Sequence, residues 1–291
     1  MNNPTLIDRL EEQVLLNEVA DTVQNAVTSV YESAGEAGHK VKNFLHGTWL
    51  GHPLHPILTD IPIGAWTTAV AVDTLSSITG NESLESIADA AITFGLLGAV
   101  GAAITGITDW KETDAGPRNL GLTHALLNIT ATMLFAGSLI ARKSEARSLG
   151  KGLALAGFSI VTLGAYLGGM LVYRDQIGVN HSLGQELSDR FTPICDENEL
   201  KENKPHRVNF EDKRILLVKQ QDIIFAIAEV CSHLGGPLAE GKLEGETIRC
   251  PWHGSCFSLR DGSVVDGPAT HSQPCYEVRV RKGQVELRSK K

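Results

Sequence analysis

Three stretches of this chain contain no Asp, Glu, Lys or Arg: residues 90–108, 121–141 and 152–173. Each is close to the ~20 residues that an α-helix needs to cross a hydrocarbon layer. A fourth apolar run, 57–78, has the same length but carries Asp60, Pro62 and Asp73. Buried helices of soluble proteins are usually shorter and keep a polar stripe, so the pattern predicts four membrane-spanning helices. Small residues recur four apart, at Gly98, Ala102 and Gly106 and again at Gly164 and Gly168. That spacing lets membrane helices approach closely.

The flanks differ from this centre. Residues 4–33 predict an amphipathic helix, with Ile7, Leu10, Val14, Leu15, Val19, Val23, Val27 and Val30 near helical spacing and an acidic opposite face. Anionic lipid attracts basic helices, so this one is expected to pack on its own protein. The formal net charge of −8 excludes a strongly basic nucleic-acid binder. Residues 1–20 have neither the basic start nor the continuous apolar core of a signal peptide. Beyond a polar connector the period changes to two, in ILLV, IIFAIAEV and YEVRVRKGQVELR, which predicts a small all-β domain. The expected organisation is a multi-domain α plus β chain: an N-terminal amphipathic helix (1–44), a four-helix membrane domain (45–181), a linker together with the start of the β domain (182–206), and the rest of the β domain (207–291). No internal repeat is evident in the sequence.

All five cysteines lie from Cys195 onward. Two of them belong to a paired motif: Cys231-Ser-His233-Leu-Gly235-Gly236-Pro237, and then Cys250-Pro-Trp252-His253-Gly254-Ser255. Structural zinc sites usually pair Cys with Cys and His with His, whereas here each loop holds one of each. Two thiolates suit one iron, and two neutral imidazoles suit a second. The motif therefore points to a 2Fe–2S cluster on Cys231, His233, Cys250 and His253. Gly235, Gly236, Gly254 and Pro237 supply tight turns that bring backbone N–H groups to the sulfurs. Cys195, Cys256 and Cys275 read as small buried hydrophobes.

On these residues the segment 190–291 resembles the Rieske family, most closely the Rieske ferredoxins and the small subunit of assimilatory nitrite reductase. The resemblance implies that Gly267-Pro268-Ala269 shields the cluster. It also implies that two potential-raising features of respiratory Rieske proteins are missing. Their inter-loop disulfide would fall at Gly236 and Trp252, and their tuning Ser and Tyr correspond to Ser255 and Phe257. Fewer hydrogen bonds to sulfur imply a lower potential. His233 and His253 are expected at an exposed tip.

Four crossings would gather His46, His52, His55, Asp60, Asp109, Trp110, His124, Asn128, Arg174 and His181 on the side of the chain ends. Ionisable groups at membrane depth tend to mark function. Three readings stay open for them: helix capping, a haem b or metal site using His52 or His55 with His124, and a quinone site. The run Gly51-His-Pro-Leu-His-Pro, Asp60-Ile-Pro-Ile-Gly and Thr108-Asp-Trp resembles an uncharacterised family of predicted bacterial four-helix membrane proteins over about 45–180. The expectation is a membrane-anchored Rieske protein in the lipid bilayer of an inner or plasma membrane, with both termini and the Rieske domain cytoplasmic. It would carry single electrons from a reductase to an acceptor, as an oxidoreductase component with no nucleic-acid partner. The alternatives are a redox-sensing regulator and the electron-supplying subunit of an oxygenase system. No dinucleotide fingerprint follows a strand, so nicotinamide or flavin would lie on a partner.

Overall fold

The computed structural model describes residues 13–290. It divides into two compact units. One comprises residues up to His39 with Leu54–Ile177, and the other comprises Lys40–Pro53 with Gly178 onward. The second unit thus takes up a segment from before the apolar runs, which the sequence division assigns elsewhere.

The first unit is helical. The expected amphipathic helix is α1, Val14–Ser33, and its first residues lie outside the described ones. Its polar groups meet its own unit. Asp21 and Asn17 bind Arg118, Gln24 Nε2 donates to the carbonyls of Trp110 and Thr113, and Tyr31 Oη shares a hydrogen bond with Thr108 Oγ1. A second helix, α2, covers Gly35–His46, and its residues from Lys40 onward count with the second unit. Then come α3 (His55–Thr79), α4 (Glu85–Trp110), α5 (Ala115–Lys143) and α6 (Arg147–Tyr173). The spans 82–110, 116–143 and 147–173 are long and apolar enough to cross a membrane. The 25-residue α3 is not among them, since Asp60, Pro62 and Asp73 lower its apolarity. The described residues therefore give three candidate spans where the sequence pattern suggests four.

The small residues do what their spacing predicts. On α4, Gly98 lies against Ile61 and Pro62 of α3, and Gly106 against His55. On α6, Gly157 lies against Phe135 of α5, and Gly168 against His124. The helices therefore form two tight antiparallel hairpins, α3–α4 and α5–α6, which interlock less closely with each other.

The two hairpins carry related residues at matching positions. His55, Trp66 and Asp73 of α3 stand 69 positions before His124, Phe135 and Arg142 of α5. Each of these residues touches its own counterpart. The His55 and His124 rings lie 6.5 Å apart, Trp66 stacks on Phe135 at 4.2 Å, and Arg142 makes a bidentate pair with Asp73. Glu85 of α4 likewise pairs with Arg147, its counterpart in α6. Contact between equivalent positions is the signature of a two-fold axis. The axis here runs down the seam between the hairpins, with the histidines at one end and the buried Asp73–Arg142 pair towards the other.

The second unit is β-rich. Strand β1 (Thr192–Asp196) pairs with β10 (Gln284–Ser289), which pairs with β9 (Tyr276–Arg281). Strand β1 thus lies in the segment 182–206, which holds the linker and the start of the β domain. A second sheet runs β2 (Pro205–Phe210), β3 (Lys213–Gln220), β4 (Ile223–Ala228). The third runs β5 (Lys242–Glu244), β6 (Thr247–Arg249), β7 (Cys256–Ser258), β8 (Val264–Asp266). One core packs Leu216, Val218, Ile227, Leu238, Ile248 and Phe257 around Cys231 and Cys250.

Candidate metal centre

Two loops, after β4 and after β6, carry the paired motif, and they close in the same way. Cys231 N–H donates to Gly236 O, and Gly235 N–H returns to Cys231 O. Cys250 N–H donates to Ser255 O, and Gly254 N–H returns to Cys250 O. Gly235 and Gly254 both sit at φ +77°, a left-handed conformation that only glycine takes without strain. The loops meet closely at Gly236, where a Cβ would lie 2.7 Å from Cys250 Sγ.

These loops sort the donors by type. Cys231 and Cys250 are buried, free and hydrogen-bonded to each other. The Cys231 thiol donates to Cys250 and holds it down to about 6, and the N–H groups of Trp252 and His253 act in the same direction. Cys231 is pushed up, first by that bond and then by burial, although N–H groups of His233 and Leu234 reach its sulfur. The His233 and His253 rings stand 5.1 Å apart at 80°. Two imidazoles bound to one metal at 2.0–2.1 Å with a near-tetrahedral angle place their ring centres about 5 Å apart. His233 Nδ1 is buried with no protein partner. Burial holds this ring neutral, and His253, His46, His181 and Lys42 press it the same way, so its lone pair is available to a metal.

The donor set fits two irons better than one zinc. No three His, Cys, Asp or Glu groups converge on a single point among the described residues, whereas one zinc ion gathers four donors around itself. A cluster with sulfur ligands on one iron and imidazoles on the other needs the segregation seen here.

The third loop is pinned from two directions. Asp266 accepts from Asn43 Nδ2 through one oxygen (2.9 Å) and from Arg249 Nη1 through the other (3.1 Å). Asn43 Oδ1 also accepts Gly267 N–H, and Arg249 Nη1 donates to Gly254 O. Ala269 N–H donates to Ser255 Oγ, which leaves the Ser255 proton to be given elsewhere. Gly267–Pro268 is cis. Asn43 and the nearby Thr48 escaped the sequence reading, because nothing local in 40–53 signals a β-domain partner.

The structure redistributes the residues assigned to the membrane face. His52 belongs to the second unit, where it is exposed and faces His271 electrostatically. His181 also belongs there, its N–H bound to Ser232 O. Asp60 is exposed on α3. His55, His124 and Asp109 remain together at one end of the helical unit. The imidazole tip is also less open than expected. His233 and His253 are only partly exposed, while Trp252 is 56% exposed at the tip. Phe257 is fully buried. Of the other cysteines, Cys256 is buried as expected, whereas Cys195 and Cys275 are half-buried. Burial raises the thiols of both, Cys195 to about 11.

Residues 190–277 match the Rieske [2Fe-2S] domain, and residues 51–181 match a predicted membrane protein family (DUF2231). Ferredoxin CarAc of Metapseudomonas resinovorans is 30% identical over 34% of this chain and 92% of its own length. Apoptosis-inducing factor 3 of Mus musculus is 33% identical over 34% of this chain, which spans only 16% of that relative. The solved ferredoxin of carbazole 1,9a-dioxygenase from Nocardioides aromaticivorans is 24% identical, over 34% of this chain and 98% of its own, with a TM-score of 0.33. With nearly the full length of a Rieske ferredoxin inside it, the chain belongs to the Rieske [2Fe–2S] family, fused here to a predicted membrane protein region.

Proposed function

We propose that the chain is a membrane-anchored carrier of single electrons, with Cys231 and Cys250 ligating one iron of the cluster and His233 and His253 the other. The segregation of a thiol pair from an imidazole pair carries this reading. When bound, the cluster supplies one-electron chemistry. The chain's own part is to orient the ligands, direct N–H groups at the sulfurs, and keep water away behind Gly267–Ala269. Partly exposed imidazoles beside Trp252 offer the exit towards a partner. The relatives include ferredoxins of dioxygenase systems, which favours a reductase as donor and an oxygenase-type protein as acceptor. A redox-sensing regulator is the second reading, favoured by the attachment to a helical unit that carries its own buried histidines.

In the membrane reading, α3 joins α4, α5 and α6 as a fourth span, because Asp73 is neutralised by Arg142. Four spans place both ends of the bundle's chain on one side, and we assign that side to the cytoplasm. A further redox group, haem or quinone, would lie among the helical unit's histidines.

The test is iron and sulfide analysis of the detergent-purified full chain, with EPR after reduction. Two irons, two sulfides and an average g below the free-electron value are expected. Stoichiometric zinc without iron would overturn the reading, and rapid turnover between a reductase and an acceptor separates carrier from sensor.

A further inference from the structure

The two-fold axis of the helical unit ends on two imidazoles, and their hydrogen bonds decide which atoms they offer. His55 Nδ1 lies 2.9 Å from Ala102 O, and His124 Nδ1 lies 2.8 Å from Gly164 O. A carbonyl only accepts, so both Nδ1 atoms carry the proton and both Nε2 atoms carry a lone pair. Ala102 and Gly164 are counterparts in the repeat, as are Gly106 and Gly168, four residues on. These glycines admit the rings, since a Cβ would lie 2.7 Å from His55 Cε1 and 3.1 Å from His124 Cε1. In both rings the Nδ1–Cε1 edge faces its own hairpin and Nε2 lies further from it. Asn128 Nδ2 is 3.3–3.4 Å from both nitrogens of His124 and bonds the His124 carbonyl at 2.8 Å. An amide equidistant from the two ring nitrogens does not lie along the outward lone pair of Nε2.

The spacing of the rings adds an angle. Their centres are 6.5 Å apart, with planes at 82°. Two imidazoles bound trans to one metal at 2.0–2.1 Å have ring centres about 6.4 Å apart, against about 5 Å for a tetrahedral pair. Asp109 lies near enough to His55 to act on it electrostatically, but among the described residues no third His, Cys, Asp or Glu closes on the pair as a metal donor. Such a trans pair suits a metal whose other positions are already filled in a plane. Iron in a tetrapyrrole is such a metal. Symmetry agrees: two ligands exchanged by a two-fold put the metal on the axis and the plane of the macrocycle along it, in the seam between the hairpins. A tetrapyrrole has an approximate two-fold of its own, so it can occupy that position. Along α3, His55 precedes Trp66 by 11 residues, so roughly 16 Å of seam separate the histidines from the Trp66–Phe135 stack at 1.5 Å per residue.

We propose that His55 and His124 are the two axial ligands of one haem held between the hairpins. As the second redox group of an electron carrier the haem rests on the preceding reading; its binding stands on the helical unit alone. The experiment uses the full chain, produced with supplementary haem precursor and also titrated with haemin after purification in detergent. One low-spin haem per chain is expected, with sharp α and β bands on reduction and the EPR of a bis-imidazole iron. His55→Ala and His124→Ala should each weaken haemin binding at least about tenfold. Free imidazole should restore the low-spin spectrum, and the Rieske EPR signal should be unchanged. That signal reports folding of the variants and tests the carrier reading separately. No Soret band in either preparation overturns the proposal. A high-spin haem that both variants retain does so too, as does copper or zinc bound to the wild type without porphyrin.

Discussion

The chain holds two pairs of facing imidazoles, and they are built in opposite ways. His233 and His253 hang from glycine-cornered β loops beside two thiols, with centres 5.1 Å apart. His55 and His124 project from helices of a unit whose sequence contains no cysteine, 6.5 Å apart. In the first pair, the atom of His233 left without a partner is Nδ1. In the second, Nδ1 is the atom that meets a backbone carbonyl in both rings. Ring spacing distinguishes a bent from a linear pair, and the engaged nitrogen identifies the available one. Neither property can be read from the presence of two histidines in a sequence.

The largest effect that separates the pairs is loss of the thiols. Cys231→Ser or Cys250→Ser should abolish the Rieske EPR signal and lower iron at the cluster by nearly the full two atoms per chain. Any absorption that belongs to the helical unit should survive. Simultaneous loss of both signals would show that the two centres do not assemble independently.

The other end of the two-fold axis gives the next largest effect. Arg142 is fully buried against Asp73, and it also donates to Ser138 Oγ and Asp89. Arg142→Met strands a buried carboxylate and should cost about 3–5 kcal/mol. Adding Asp73→Leu removes the stranded charge, and the double variant should recover most of the loss. Thermal unfolding in detergent measures it. A double variant as unstable as the single would mean that the pair is not the lock between the hairpins.

How much of this was legible in the sequence follows from the range of each interaction. The cluster loops were legible because each ligand pair and its turn glycine lie within five residues. The helices were legible from apolar length alone, although the weakest run shows that length is not apolarity. The hairpin repeat was not, because counterparts contact each other across the axis. Two of the contacting counterpart pairs are complementary rather than alike, Asp73 with Arg142 and Glu85 with Arg147, and complementary residues hide similarity. His52 and His181 lie within a few residues of the unit boundaries at 53/54 and 177/178, which no local signal in the sequence marks. Asn43 was invisible because its partner Asp266 is 223 positions away.

That long-range clamp supplies a smaller prediction. Asn43→Ala removes two hydrogen bonds to the loop that covers the cluster. It should destabilise that loop by about 1–3 kcal/mol, leaving the ligands in place. Hydrogen exchange at Gly267 and Ala269 should quicken, and the cluster should be lost faster to a chelator. Exchange unchanged at both positions would remove segment 40–53 from any role in shielding the imidazole pair.

The smallest effect concerns potential. Cluster sulfurs that accept few hydrogen bonds stabilise the reduced state less, which places this centre in the lower Rieske range, roughly −150 to 0 mV. Phe257 packs in the same core as Cys231 and Cys250 and is fully buried. Phe257→Tyr puts a hydroxyl into that core, where a ligand sulfur is the acceptor at issue. A neutral hydrogen bond that strengthens on reduction by about 0.5–1 kcal/mol raises a one-electron potential by about 20–45 mV. Protein-film voltammetry of the variant and the wild type should show that rise, with stability little changed. If the hydroxyl finds no acceptor, the potential stays fixed and stability falls by about 1–3 kcal/mol, the penalty of a buried unsatisfied group. The size of the stability loss, read together with the potential, therefore tells whether a hydroxyl at position 257 reaches a ligand sulfur.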